Sequence, residues 1–262
     1  MSFEFDDATA VASDGSVVLP DRWTMGPGFA HGGYLMSVAL AAAMEDASHP
    51  DPVTMSAHFV RPGKVGPAEV ETTVIKAGRS LSTIRADLHQ DDEVCVATLT
   101  TFGDLSAASD IGHQSMEPPK LPPPDRCIAA DPAKVPSIPR MVGNLDLRLT
   151  RESTGWASGH PHGRATMEGW VSFRDGRPID TLSLPMFADA LPQPVLNVGV
   201  VALWTPTIEL TVHVRRRPTT QRLGVSFRTQ LLAGTYFESS GTLWNDDGTL
   251  VAMSRQIQLI NR

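Results

Sequence analysis

The sequence has little cysteine, no excess of basic charge and no long apolar run, and each shortage excludes a class of protein. Only Cys95 and Cys127 are present among 262 residues, and there is no CxxC motif. We therefore expect neither a disulfide framework nor a cysteine metal site, and we expect the protein to reside in a reducing compartment. The net charge is −7, which argues against a nucleic-acid partner because such binders carry a basic balance.

No apolar stretch approaches the ~18 residues that a membrane-spanning helix requires, so we expect no membrane partner. Positions 1–7 carry acidic side chains where a secretory signal would carry basic ones. These two features predict a cytoplasmic protein. Charged residues make up 19% of the chain, below the usual ~25%, which leaves apolar surface through which copies could associate. A homo-oligomer is therefore one expected state.

The stretch that organises the chain is the glycine-rich run at 26–34, which opens the longest helical pattern. No proline or glycine interrupts positions 34–47, and apolar residues recur there at helical spacing. Gly32 and Gly33 have no Cβ, so a ligand can approach the backbone closely. The first N–H groups of a helix have no partner within it, which suits an anion or a developing oxyanion. A loop that merely turns the chain explains the glycines equally well.

Strand candidates follow in two runs, with a second helical pattern between them. The first run is 53–60, 68–77, 80–90 and 94–102; the later candidates are 145–150, 163–173, 207–214, 223–233, 237–245 and 250–260. The second helix is predicted at about 178–191, with Asp180 or Thr181 as its cap. The first twenty residues suggest two short strands around a turn at Asp14-Gly15.

The two runs repeat at a single spacing. Segments 55–59, 91–92 and 96–97 match 210–214, 246–247 and 251–252, each 155 positions further on. A repeat of this length indicates a duplicated domain, because solenoid periods are only ~20–50 residues. Each half is predicted to be an α+β unit, one helix on a strongly curved antiparallel sheet. A proline-rich linker at 109–139 would join a domain at 1–108 to a second at 140–262.

A glycine-rich opening on one central helix wrapped by a meander resembles the hotdog fold, and His31-Gly32-Gly33 is similar to the helix-opening motif of many hotdog thioesterases. Two such halves resemble the double-hotdog, acyl-CoA thioesterase II-like family. The second half also carries segments that resemble the family's in order and spacing, namely 173–178, 187–190, 210–213 and Gln256. The resemblance implies a double hotdog that hydrolyses a fatty or related acyl-CoA, in lipid metabolism, with no metal and no cofactor.

The resemblance also implies three catalytic residues in the second half, because the family uses an Asp, a Ser or Thr, and a Gln. Carried over by position, these are Asp189, Thr211 and Gln256. Thioester hydrolysis needs an activated water and a place for the oxyanion. A carboxylate can deprotonate the water or attack directly, and hydroxyl and amide groups can hold the water in place.

The two halves differ at these positions. With the helix starts aligned, Ala42 takes the place of Asp189, and the repeat of 155 residues puts Thr101 in the place of Gln256. Glycines, however, open only the first helix. We therefore predict one site per chain, built across both halves, in which His31, Gly32 and Gly33 bind the thioester carbonyl opposite the acid of the second half.

Two other functions remain open from the sequence. An acyl-CoA hydratase on the same fold would have a His a few residues after its Asp, and the five residues that follow Asp189, 190–194, include no His. A non-catalytic acyl-CoA binding protein that kept the pocket is compatible with every residue. The pair His160 and His162 is a weak metal motif, since no acidic or cysteine cluster accompanies it.

Overall fold

The structure is a computed structural model that describes residues 2–26, 28–106, 112–135, 137–201 and 204–261. Within these ranges the helices are α1 (Glu4–Thr9), α2 (Gly32–Glu45) and α3 (Leu184–Ala188). Six 3-10 turns lie at Asp21–Trp23, Pro124–Arg126, Arg140–Asn144, Glu152–Ser158, Thr181–Ser183 and Pro194–Val198. The strands are β1 (Ser16–Leu19), β2 (Thr24–Gly26), β3 (Phe29–Ala30), β4 (Asp51–Phe59), β5 (Gly66–Ala77), β6 (Ser82–Gln90), β7 (Glu93–Gly103), β8 (Ile128–Ala129), β9 (Arg148–Leu149), β10 (Thr166–Val171), β11 (Thr207–Val214), β12 (Leu223–Arg228), β13 (Leu232–Ala233), β14 (Tyr236–Trp244) and β15 (Leu250–Leu259).

Thirteen strands form one antiparallel sheet in the order β1-β5-β6-β7-β4-β11-β15-β14-β12-β10-β9-β8, with β13 attached to β14; β2 and β3 form a separate ribbon. The centre of the sheet is the pair β4 and β11, where Ser56 lies directly opposite Thr211. Outward from this pair, each side continues with a hairpin, β7 then β6 on one side and β15 then β14 on the other. The expected large antiparallel sheet with few helices is confirmed.

The long helix α2 covers the first half of the sheet, and the short helix α3 covers part of the second. Helix α2 packs against β4, β5, β6 and β7, whereas α3 packs against β11, β14 and β15. Leu35, Val38 and Ala39 of α2 are buried, as their spacing predicts. The two helices also pack on each other, and they touch at Gly33: a Cβ there would lie 2.7 Å from the carbonyl oxygen of Pro185.

The second helix is shorter than the predicted span of 178–191. A 3-10 turn precedes it, and its α-helical part has only five residues. Pro185 explains the late start, because proline lacks an N–H and is tolerated only in the first turn of a helix. The predicted cap is correct: Asp180 accepts a hydrogen bond from the backbone N–H of Ser183 at 3.0 Å, and the Ser183 hydroxyl accepts one from the Asp180 N–H at 3.1 Å.

The chain begins with helix α1 rather than with the first of the two predicted strands. Three acidic residues lie in its first turn, where the helix dipole favours negative charge. Its Phe5 side chain is fully buried between the rings of Trp23 and Phe173. The alternation that suggested a strand therefore reflects one buried face of a short helix, although the turn at Asp14-Gly15 and the strand after it are present.

The described part of the proline-rich segment lies along the second half of the sheet. Its strand β8 pairs with β9 at the sheet's end, and the carbonyl of Pro122 accepts a hydrogen bond from Trp170 Nε1 at 2.8 Å. The predicted boundary between the first domain and the linker falls at 107–111, outside the described residues. Among the helices described, none is both long and apolar enough to cross a membrane.

Candidate active site

Asp189 ends helix α3 and places its carboxylate at the start of helix α2. Its side chain is buried, and Oδ2 accepts a hydrogen bond from the backbone N–H of Gly33 at 2.9 Å. The first turn of a helix carries partial positive charge and unpaired N–H groups. The acid of the second half is thus held by the helix start of the first half.

His31 fixes the same carboxylate from the side. It is the N-cap of α2, and its Nδ1 accepts a hydrogen bond from the Tyr34 N–H at 3.3 Å. Since Nδ1 is an acceptor, the ring proton belongs on Nε2. Nε2 lies 3.0 Å from the carbonyl oxygen of Asp189 and 3.3 Å from its Oδ2. The structure therefore brings together three of the predicted site residues, His31, Gly33 and Asp189.

Burial raises the pKa of the Asp189 carboxyl above the ordinary value of 3.8. The neighbouring His31 and the Gly33 N–H both lower this pKa, but desolvation is the larger effect. A carboxyl with a raised pKa holds a proton more readily than an exposed aspartate does. This property suits a group that must take a proton from water during catalysis.

The two glycines differ in what their N–H groups do. The Gly33 N–H donates a hydrogen bond to Asp189. It is therefore not free to bind a substrate carbonyl, which is the role predicted for it from the sequence. No acceptor for the Gly32 N–H is found among the described residues. A Cβ at Gly32 would lie 3.0 Å from Asp189 Oδ2 and 3.2 Å from the Phe59 ring. Gly32 therefore offers the open donor at this helix start.

Gln256 lies on the sheet face that α3 covers. It stands opposite Leu210 on the neighbouring strand, and both side chains are buried, at 3% and 0% exposure. Opposed residues of an antiparallel pair point to the same face. The amide oxygen of Gln256 is buried without a hydrogen-bond partner among the described residues. Buried polar atoms are nearly always paired, so this oxygen is suited to a water or substrate.

Thr211 lies on the other face of the sheet. It follows the inward-pointing Leu210, and side chains alternate along a strand. Its hydroxyl lies 2.7 Å from the Ser56 hydroxyl and also bonds Glu209. The structure therefore places Thr211 on the face opposite to that of Gln256, and any part of Thr211 in the chemistry stays a prediction.

A different threonine occupies the inner face. The register of β11 shifts between Thr207 and Glu209, so that Thr207 stands opposite Gln258 of β15. The Thr207 hydroxyl accepts a hydrogen bond from Gln258 Nε2 at 3.5 Å. Simple alternation puts Thr207 on the same face as Thr211. The β-bulge reverses that assignment, and no residue pattern in the sequence marks the bulge.

The pairing also corrects the comparison of the two halves. Thr100 stands opposite Met55 as Gln256 stands opposite Leu210, so the counterpart of Gln256 is Thr100 and not Thr101. Thr100 is fully buried, and its hydroxyl has no partner among the described residues. Aligning α2 and α3 at their first residues likewise puts Ser37, not Ala42, opposite Asp189. Neither counterpart is an acid, so the asymmetry between the halves remains.

Known protein families match both halves of the chain. The acyl-CoA thioesterase N-terminal domain matches residues 19–103, and the acyl-CoA thioesterase C-terminal domain matches residues 120–260. The chain belongs to the acyl-CoA thioesterase family. The two matched domains leave residues 104–119 between them, a stretch that includes the beginning of the proline-rich segment.

Solved structures with a similar fold cover nearly the whole chain. A candidate thioesterase II from Thermobifida fusca is 30% identical, with a TM-score of 0.88 over 99% of this chain and 98% of its own. A hotdog-fold protein of unknown function from Alicyclobacillus acidocaldarius is 24% identical, also with a TM-score of 0.88, over 100% and 99%. An uncharacterised protein of Mycobacterium tuberculosis is 24% identical over 92% of this chain and 89% of its own.

Within the described ranges, no group of three or more His, Cys, Asp or Glu side chains could hold a metal ion. His160 and His162 lie in an exposed loop, and the His162 Nδ1 accepts a hydrogen bond from the backbone N–H of Arg164 at 3.1 Å. This hydrogen bond gives His162 a local structural role.

Proposed function

We propose that the protein hydrolyses an acyl-CoA thioester to a free acid and coenzyme A at the site formed by Asp189, Gly32 and Gln256. The observation that carries this proposal is the buried Asp189 carboxylate held at the α2 start by Gly33 and His31. The carboxylate belongs to one half of the chain and the helix start to the other. The family membership supports the reaction class.

The proposed chemistry uses the chain's own groups and one water. Ionised Asp189 accepts a proton from the water while the water oxygen forms a bond to the thioester carbon. Gln256 holds the water through its unpaired amide oxygen. The carbonyl oxygen becomes an oxyanion and accepts a hydrogen bond from the Gly32 N–H. The carbon–sulfur bond then breaks, and the departing thiolate takes up the proton.

The hydroxyl in this site is proposed to come from Thr207 rather than from Thr211. Thr207 shares the inner face with Gln256 because of the β-bulge in β11. Its oxygen already accepts from Gln258, so its own proton is left to donate to a water or to substrate.

We also propose that the chain is a double hotdog with the domain limits given by the sequence, 1–108 and 140–262 around the proline-rich segment. Support comes from the mirrored order of the hairpins about the β4–β11 pair and from Ser56 facing its predicted repeat mate Thr211. Equivalent residues of β4 and β11 are 155 positions apart, as predicted, whereas equivalent residues of β7 and β15 are 156 positions apart. The cytoplasmic location and the homo-oligomer remain predictions.

Hydratase activity is the second candidate, and one observation favours it. The sequence shows no His among the five residues after Asp189, but the fold places His31 Nε2 3.3 Å from the Asp189 carboxylate. A paired acid and imidazole can add water across a double bond by general acid–base catalysis. Against it, both ring nitrogens of His31 already have hydrogen-bond partners in the helix start and in Asp189.

One experiment separates these functions. The purified chain is incubated with saturated acyl-CoAs of increasing length, with release of free thiol as the readout. An enoyl-CoA is tested in parallel for loss of its double bond. Thiol release supports the thioesterase, and double-bond loss without thiol release supports the hydratase. Saturable binding with neither reaction would identify a binding protein and overturn both proposals.

A further inference from the structure

A second buried glutamine lies beside the proposed water-holding residue. Gln258 is two positions after Gln256, on the same face of β15, and has 0% exposure. Its Nε2 donates to the Thr207 hydroxyl, but its Oε1 is buried with no partner among the described residues. Leaving such an acceptor unpaired is costly, so this oxygen points to a ligand that donates a hydrogen bond.

On the side away from Thr207, the neighbours of Gln258 are apolar. Phe237 stands opposite it on β14, and Ile260 is the next residue on the same face. Both pack with Val195 from the turn Pro194–Val198 in a small cluster that is separate from the main core. An ordered water needs two to four polar partners, and the side chains of this cluster offer none. A mostly apolar ligand that carries one donor fits this corner better than water does.

We propose that this corner receives the acyl group of the substrate and that Gln258 Oε1 accepts a hydrogen bond from a hydroxyl on that group. The preferred substrates are then hydroxyacyl-CoA thioesters rather than unsubstituted fatty acyl-CoAs. The inference rests on the proposed function, since it extends the same site by one step along β15. A site built to bond a hydroxyl discriminates strongly against the analogue that lacks it, because the buried acceptor is then left unpaired.

The pantetheine arm of coenzyme A also carries donors, but the cluster favours the acyl group. Phe237, Ile260 and Val195 are 2%, 4% and 0% exposed, which closes this corner to solvent. The pantetheine arm must continue outward to a charged nucleotide, whereas an acyl chain can end in a closed apolar space. A contact between Gln258 and the acyl group would depend on the hydroxyl of the substrate, whereas a contact with the pantetheine arm would be the same for every acyl-CoA.

The test compares pairs of acyl-CoAs of equal length that differ only by a hydroxyl, placed at successive carbons. For the unmodified enzyme we expect kcat/KM to favour the hydroxylated member about ten-fold or more at one position. Gln258→Met removes the acceptor at similar volume and should bring that ratio close to one. Ile257→Met is the matched control, because Ile257 lies between the two glutamines, is 39% exposed and points to the other face.

Each outcome decides the inference. No preference in the unmodified enzyme overturns it without any variant. An equal loss on both members in Gln258→Met places the contact on the coenzyme A arm and also overturns it. If thiol is released from none of the substrates, the proposed function fails instead, and binding of non-hydrolysable thioether analogues with and without the hydroxyl still tests Gln258. Tighter binding of the hydroxylated analogue, lost in Gln258→Met, would then support it.

Discussion

The two halves of the sheet carry helices of very different length, and the difference explains the site. Helix α2 has 14 residues and α3 has five. The long helix supplies a glycine start whose first N–H groups have no partner within the helix. The short one stops early enough for Asp189 to turn toward that start and accept a hydrogen bond from Gly33. Each half therefore lacks what the other provides: the first has no acid at this position, and the second helix begins with Leu184-Pro185 instead of glycines.

The largest expected effect comes from removing the acid of the second half. Asp189→Asn keeps the shape and can still accept from Gly33, but it cannot take a proton from water. We expect kcat for thioester hydrolysis to fall ~10²-fold or more, with acyl-CoA binding retained. Asp92→Asn is the control, since Asp92 is exposed in a turn whose positive φ asparagine tolerates. Unchanged turnover in Asp189→Asn would remove the acid from the mechanism.

The next effect tests the helix contact itself. Gly33→Ala would put a Cβ within 3.0 Å of the backbone of Pro185 and Met186, so the helices must separate. We expect a loss of ~1–3 kcal/mol in the free energy of unfolding, measured by chemical denaturation, together with lower activity. Gly143→Ala is the control, because nothing lies near its missing Cβ. Wild-type stability in Gly33→Ala would show that the halves do not depend on this contact.

The fold was readable from the sequence wherever one periodicity ran long enough. Helix α2 is predicted to within two residues at each end, because 14 residues repeat an apolar stripe without a breaker. Strand β11 is predicted with its observed limits, Thr207–Val214. The predicted span of helix α3 is too long because Pro178 resembles a first helical residue, whereas the proline in the observed first turn is Pro185, the second residue of the helix. Sequence spacing alone could not choose between them.

The site was only partly readable. His31, Gly33 and Asp189 are conspicuous in the sequence, and the structure brings them together. The hydrogen bond that joins Gly33 to Asp189 spans 156 positions, and no local pattern predicts such a contact. One bulge before Glu209 sets the face to which Thr207 points. Strict alternation puts Thr207 and Thr211 on the same face, so the sequence alone could not distinguish the two threonines.

Two single substitutions test which threonine supplies the hydroxyl of the site. Thr207→Val should lower thioesterase kcat/KM about ten-fold, since it removes a hydroxyl that faces the proposed water. Thr211→Val should change kcat/KM less, because its hydroxyl bonds Ser56 on the opposite face. Both variants keep a β-branched side chain in the same strand, so each controls for the other. A larger loss in Thr211→Val would return the catalytic hydroxyl to Thr211.

The smallest expected effect is the dependence of stability on pH that comes from Asp189. The pKa of Asp189 is raised in the folded protein above its ordinary value of 3.8. Between those two pKa values the folded chain keeps a proton that the unfolded chain has lost, so stability falls as pH rises through that window. Asp189→Asn lacks this group and should therefore gain stability relative to wild type as pH increases, reaching a plateau above the raised pKa. Denaturation midpoints of both proteins across a pH series measure the difference, and wild-type kcat should rise over the same window because the base must be ionised. A difference that stays constant with pH would mean that the carboxyl titrates alike in the folded and unfolded chains, and that burial between the two helices does not tune it.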